Sequence, residues 1–388
     1  MGHNVASRPG VPERPPEAPA TMSPHRPSRS AAAAALVVAL AGCGAASAAR
    51  PPSHRAGPAD TPSASPTLAA PTLKPAPLGA PLMVQVENLY AARPQSGLSS
   101  ASLVYEYDTE GGITRFTAFW FTPPPASEDI GPVRSARLVN LRLLQIYGGV
   151  LLYSGASNYT LAQLRASPLR SYNPDSALVG SRVLYRIASR AAPHNLYTNG
   201  GVLQSFEQRV RMGTVGYQLW QRTPVSALPA GGAAATSFQV PITAYERPIF
   251  TYDPASGAYE RTEPGSSAYP ATGILRDADT GQPWEVPNVV VLQVPVITVP
   301  ADNENAANYP WIDGLDFGIG PNASGSGQLA VGGQLYPISW DQGATGPPQL
   351  TLASGQPAPL VAGQVLIELV PQGSAVSVLS PGATAQAG

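Results

Sequence analysis

The chain has 388 residues, 43% hydrophobic and 12% charged, a length and composition that allow two ordinary domains with sparse surface charge. One cysteine, Cys43, rules out intramolecular disulfides and any cysteine-built zinc site, and one lysine, Lys74, leaves the folded part without a Walker-type phosphate loop. The net charge of −1 hides an asymmetry: residues 81–225 carry 13 arginines against 8 acids, or +5, and residues 226–388 carry 3 arginines against 13 acids, or −10. Neither half has the dense basic face of a nucleic-acid binder, so no nucleic-acid partner is expected. The arginine-rich half suits an anionic ligand.

In chain order, residues 31–40 are ten apolar residues behind Arg26 and Arg29, the proportions of a secretory h-region and too short for a spanning helix. Leu40-Ala41-Gly42-Cys43 follows, resembling a bacterial lipobox in which the cysteine sulfur receives lipid. Residues 1–43 therefore read as leader and signal peptide, with translation expected to start at Met22. The expected anchor is lipid on Cys43 at the cell membrane, on the extracytoplasmic side. Residues 44–80, rich in Pro, Ala, Ser and Thr without periodicity, read as a disordered tether.

Short apolar runs predict strands at 82–86, 103–107, 113–121 and 148–154, the third with aromatic residues on both faces and therefore central in a sheet. The spacing of Leu138, Leu141 and Leu144 with Val139, Leu143 and Ile146, behind Gly131-Pro132, predicts a helix over 133–147. A second helix is expected over 202–212, with Asn199 or Thr198 as N-cap. Beyond residue 225 strand-like runs dominate, at 238–244, 289–299, 334–340 and 365–370. The fold expectation is a layered α/β (α+β) N-terminal domain over 81–225, a linker at 226–237, a mostly β C-terminal domain over 238–372, and a disordered tail at 373–388.

Five segments, Ala92-Arg93-Pro94-Gln95-Ser96-Gly97-Leu98, Val104-Tyr105-Glu106, Glu110-Gly111-Gly112-Ile113-Thr114-Arg115-Phe116, Gly131-Pro132-Val133-Arg134-Ser135-Ala136-Arg137 and Ala192-Pro193-His194-Asn195-Leu196-Tyr197-Thr198, resemble in order and spacing the YerB-like lipoproteins of bacteria. Asn288-Val289-Val290, Gly325-Ser326-Gly327 and Trp340 resemble the family's C-terminal domain, although Asp341 and Gln342 stand where a basic residue is expected. The resemblance implies an α/β N-terminal domain and a lipoprotein habit, and implies no reaction.

The residues themselves suggest an anion site. Amides of a helix starting near Pro132 would face outward, and Arg134 and Arg137, three apart, would share its face. Arg93 and Arg115 would complete a cluster of guanidiniums suited to bidentate contacts with carboxylate or phosphate. His194, the single histidine outside leader and tether, and Asn195 join the candidates. The ligand would be an anionic wall polymer, a peptide or a small solute. The bland reading of the same residues is internal pairing of these arginines with Glu106, Asp108 and Glu110. A competing reading is a cell-wall glycan hydrolase or transferase using Glu106, Glu110 and His194 as acid and base; a third is a scaffold for protein interaction. No cofactor or metal is expected, since no ligand spacing points to one.

Overall fold

The computed structural model describes residues 77–173, 183–302 and 314–380, all within one compact unit, Thr72–Gly388. The leader, Cys43, nearly all of the tether and residues 381–388 of the expected tail lie outside the described residues.

The elements that position the site run β1 (Leu82–Glu87), β2 (Leu103–Asp108), β3 (Thr114–Trp120), α1 (Leu138–Tyr147), β4 (Val150–Leu152), α2 (Asn158–Ala166), β5 (Arg170–Tyr172) and α3 (Gly200–Val210). The mostly β half follows with β6 (Ser237–Gln239), β7 (Ile249–Asp253), β8 (Ala258–Glu263), β9 (Asn288–Val294), β10 (Val296–Val299), β11 (Ser324–Val331), β12 (Gln334–Asp341), β13 (Gln349–Leu352) and β14 (Val365–Pro371). An α/β region is thus followed by a mostly β region, as the residue pattern leads one to expect.

The two regions share one sheet. Its order is β13-β12-β11-β9-β14-β2-β3-β1-β4-β5, and β14 pairs in parallel with both β9 and β2, joining the halves through backbone hydrogen bonds. The expected linker is partly structured, since Ala233 and Ala234 pair with β12. A second sheet of β6, β7 and β8 with short partners covers one face of the first.

Period-2 alternation sorts the side chains. Leu82, Val84 and Val86 of β1 pack with Phe116, Phe238 and Phe250 toward the second sheet, whereas Met83 packs with Val139, Leu143 and Phe119 toward α1. β3 lies between β2 and β1 with every residue buried, which explains aromatic residues on both of its faces.

Two expectations need correction, and one helix lies outside them. Helix α1 starts at Leu138, not near Pro132, because residues 132–136 are drawn out as an extended segment. The Glu87 amide donates to the Pro132 carbonyl, the Val133 amide to Leu196, the Arg134 amide to Gln85 and the Ala136 amide to Gly155. Apolar Val133 belongs to this pairing rather than to a helical stripe. The expected strand 289–299 is two strands, β9 and β10, divided at Pro295, which lacks the donor a continuous ladder needs. Helix α2 was not anticipated. Ser157 caps it by accepting from the Thr160 amide, at 2.9 Å, but its nine residues bury only Thr160 and Leu164, too few to mark a periodic stripe.

Candidate functional site

The carboxyl end of β1 and the start of α1 meet where the parallel pair β1–β4 ends. A buried polar network fixes α1 against the sheet there. Asn140, in the first turn of α1, donates from Nδ2 to Gln85 Oε1 of β1 at 2.9 Å, to Tyr107 of β2 at 3.0 Å and to Thr117 of β3 at 2.9 Å. Its Oδ1 accepts the Arg137 amide at 2.7 Å. All four side chains are buried, and the Asn140 amide shares its two protons among these three acceptors, which holds the N-cap residue Arg137 against the sheet.

Three of the four predicted arginines gather here. Arg137 makes a bidentate contact with Glu110, Nε to Oε2 at 2.7 Å and Nη2 to Oε1, and donates from Nη1 to the Ala136 carbonyl at 2.9 Å. Arg134 lies 3.2 Å from Glu87 Oε1, and His194 Nδ1 lies 2.9 Å from Glu87 Oε2. Glu87, fully buried, therefore holds Arg134 and His194, whose side chains remain partly exposed at 27% and 19%.

Arg115 sits opposite Glu87 in the β1–β3 register, buried to 3% exposure. Among the described residues its hydrogen bonding is confined to Nη1 donating to the Thr114 carbonyl at 3.0 Å; Nε has no partner and no carboxylate forms an ion pair with it. Burial pushes its guanidinium down to about 10, with Arg137 and Arg134 adding to the effect against Glu110 and Glu87. Burial alone would raise the Glu110 carboxyl, but Arg137 and then Arg115 outweigh it and hold it below the usual range. Asp108, on the opposite face of β2, is pushed up to about 7, first by burial and further by Glu110.

The remaining candidates lie elsewhere. Arg93 turns toward the second sheet, where Nη2 meets Glu246 at 2.8 Å and Nε donates to Asn88 at 3.0 Å. Glu106 points to the same side, fully buried, clamped by Arg261 and accepting from Asn88 at 2.9 Å. Neither oxygen of Glu106 is open to a substrate, and Glu110 is occupied by Arg137. Asn195 accepts from Arg186 at 2.7 Å and donates to the Ile187 carbonyl, so it holds its own loop. Expected helix-start amides at Arg134 do not exist as such, since that amide is spent on Gln85.

Sequence reasoning passed over Glu87, the acid that organises the cluster; its one signal was a charged residue continuing an apolar strand. It also passed over the Gln85, Tyr107, Thr117 and Asn140 set, and the acidic run at Asp302 reads in sequence as a solvated turn, whereas Asp302 is fully buried and accepts from Thr160 at 3.0 Å and from Ser157 at the start of α2. Among the described residues no three potential metal ligands gather. No helix among them is long and apolar enough to cross a membrane.

Residues 70–213 match the domain described as "Protein of unknown function (DUF3048) N-terminal domain", and residues 238–367 match the corresponding C-terminal domain. The chain is 28% identical over 307 residues to YerB of Bacillus subtilis (strain 168), a protein named as a lipoprotein, covering 77% of this chain and 83% of that one. The crystal structure of YerB from Bacillus subtilis superimposes with a TM-score of 0.59 at 26% identity, over 80% of this chain and 100% of the other. With both domains matched in order and most of the chain shared in sequence and fold, the chain belongs to the YerB-like family.

Proposed function

We propose that the chain is a lipid-anchored extracytoplasmic protein that binds an anionic group at Arg115, Arg134 and Arg137, with His194 at the rim. Anchoring is supported by Cys43 directly after Leu40-Ala41-Gly42 and by the lipoprotein name of the Bacillus relative.

The observation that carries binding is Arg115. An arginine stays protonated at neutral pH, and a buried guanidinium without an acid in contact costs several kcal/mol. Arg137 has a bidentate carboxylate and Arg134 a carboxylate within ion-pair distance, yet Arg115 beside them has neither. A carboxylate or phosphate entering past the partly exposed Arg134 and His194 would satisfy it. The planar guanidinium fork suits either group bidentately.

The test is calorimetric titration of the full chain with inorganic phosphate. Arg115→Met and Arg134→Ala should each weaken binding by about tenfold or more, the scale of a charge-assisted hydrogen bond. Unchanged affinity in Arg115→Met, or no binding by the wild type, would remove the reading.

A further inference from the structure

The turn Glu110–Gly112 between β2 and β3 borders the arginine cluster through Glu110 and borders a group of three tyrosines through its two glycines. The Tyr269 hydroxyl donates to the Gly111 carbonyl at 2.9 Å, and Thr243 donates to the Gly112 carbonyl at 2.8 Å, bringing Tyr245 over the turn. A Cβ on Gly112 would lie 2.7 Å from the Tyr245 ring, so glycine is required for the ring to rest there. The Tyr269 ring is 6.0 Å from that of Tyr90 and 5.9 Å from that of Tyr245.

Tyr90 and Tyr245 are each 39% exposed, and the three rings come from segments far apart in sequence and in both halves of the chain. Among the described residues Tyr90 and Tyr245 are the exposed aromatic side chains, and the half-buried Tyr269 links them. A contiguous exposed aromatic surface marks an interaction site more often than an accident of folding. Tyrosine is suited to it, offering a broad rigid face at low entropic cost together with a hydroxyl.

Resting on the anion-site reading above, we propose that the tyrosine group and the arginine cluster form one surface for an acidic polysaccharide. The rings take the C–H faces of pyranose units, and the guanidiniums take the carboxylate or phosphate carried by a neighbouring unit. One three-residue turn contacts both features, Arg137 through Glu110 and the tyrosine group through Gly111 and Gly112, and an oligosaccharide is long enough to engage both where a lone phosphate is not. Charge separates this partner from a neutral glycan, and the aromatic surface separates it from a free anion.

The experiment titrates the full chain with hexagalacturonate, with its methyl ester and with inorganic phosphate, comparing wild type with Tyr90→Ala/Tyr245→Ala. Both substituted side chains are well exposed, and phosphate binding by the double variant reports that the cluster is intact. The expected result is hexagalacturonate binding tighter than phosphate, weakened at least about fivefold in the variant, the scale of an interface aromatic truncation. Phosphate affinity should not change, and the methyl ester should bind more weakly than the acid. Equal hexagalacturonate affinity in variant and wild type would overturn the polysaccharide surface. So would a wild type that binds phosphate and not hexagalacturonate, and in both cases the anion site stands. Failure to bind either would remove both readings.

Discussion

Arg115 and Arg261 are both buried arginines, and their surroundings give them opposite energetic characters. Arg261 meets Glu106 at 2.9 Å, Glu263 at 2.7 Å and Glu368 at 3.0 Å, while its guanidinium lies 5.3 Å from the Phe116 ring centre and 5.9 Å from that of Trp284. Burial would disfavour its charge, but Glu106, Glu263 and Glu368 outweigh that and hold it protonated. Removing it strands carboxylates in the interior, so Arg261→Met should cost on the order of 3–5 kcal/mol in denaturant unfolding. Arg115 has no such partners in contact, and its replacement by Met should cost much less while weakening phosphate binding by about tenfold or more. That separation of stability from binding distinguishes a retained site residue from a structural one.

Asp108 gives a pH signature at the same scale. Its Oδ1 is buried without a partner, and its carboxyl is pushed up to about 7, by burial first and by Glu110 second. Between about pH 4 and 7 the folded chain holds a proton that the unfolded chain has released, so this group lowers stability as pH rises through that window. Asp108→Asn should therefore be more stable than wild type at pH 8, by up to about 4 kcal/mol at 1.4 kcal/mol per unit, with the difference closing near pH 4. Thermal unfolding across that range reads it, and a constant difference would contradict the burial argument.

Among the elements, α3 was largely legible. Asn199 caps it by accepting from the Val202 amide at 2.9 Å, and its buried Leu203 and Phe206 lie on one side. Its docking was not legible, because it depends on Gly200 approaching Pro125, whose carbonyl oxygen would be 1.7 Å from any Cβ there. Gly200→Ala should force the helix off and cost about 2 kcal/mol or more, measurable by urea unfolding. The start of α1 was hidden for a related reason. Periodicity counts apolar residues but does not reveal that Val133 pairs with Val86 across the sheet, so the extended segment read as one more helical turn. The consequence reached the site, since Arg134 and Arg137 both project from extended backbone ahead of the helix rather than from one helix face.

At the scale of the molecule, β14 decides the architecture. It is the last long strand in sequence and lies between β9 and β2, paired to both in parallel. The Arg261 cluster crosses the same junction, since Glu106 belongs to β2, Glu368 to β14 and Arg261 to β8. Two halves joined by a shared ladder and a buried charge cluster should unfold together. Calorimetry of the full chain is expected to give one cooperative transition for the region 72–388, and two separated transitions would contradict the shared sheet.

Composition alone determined that no intramolecular disulfide and no lysine phosphate loop serve the folded part, because each needs a residue the chain does not supply there. Local periodicity placed most of the long strands, and ordered short motifs placed the family, since both are properties of neighbouring residues. Tertiary structure alone decided which arginine meets which acid. Charges at positions 87, 110, 115, 134, 137 and 194 belong to five separate segments, and burial turns angstrom differences in their packing into the difference between a saturated ion pair and a guanidinium with no carboxylate in contact. Nothing in sequence spacing carries that information, because it arises only when the sheet brings those segments together.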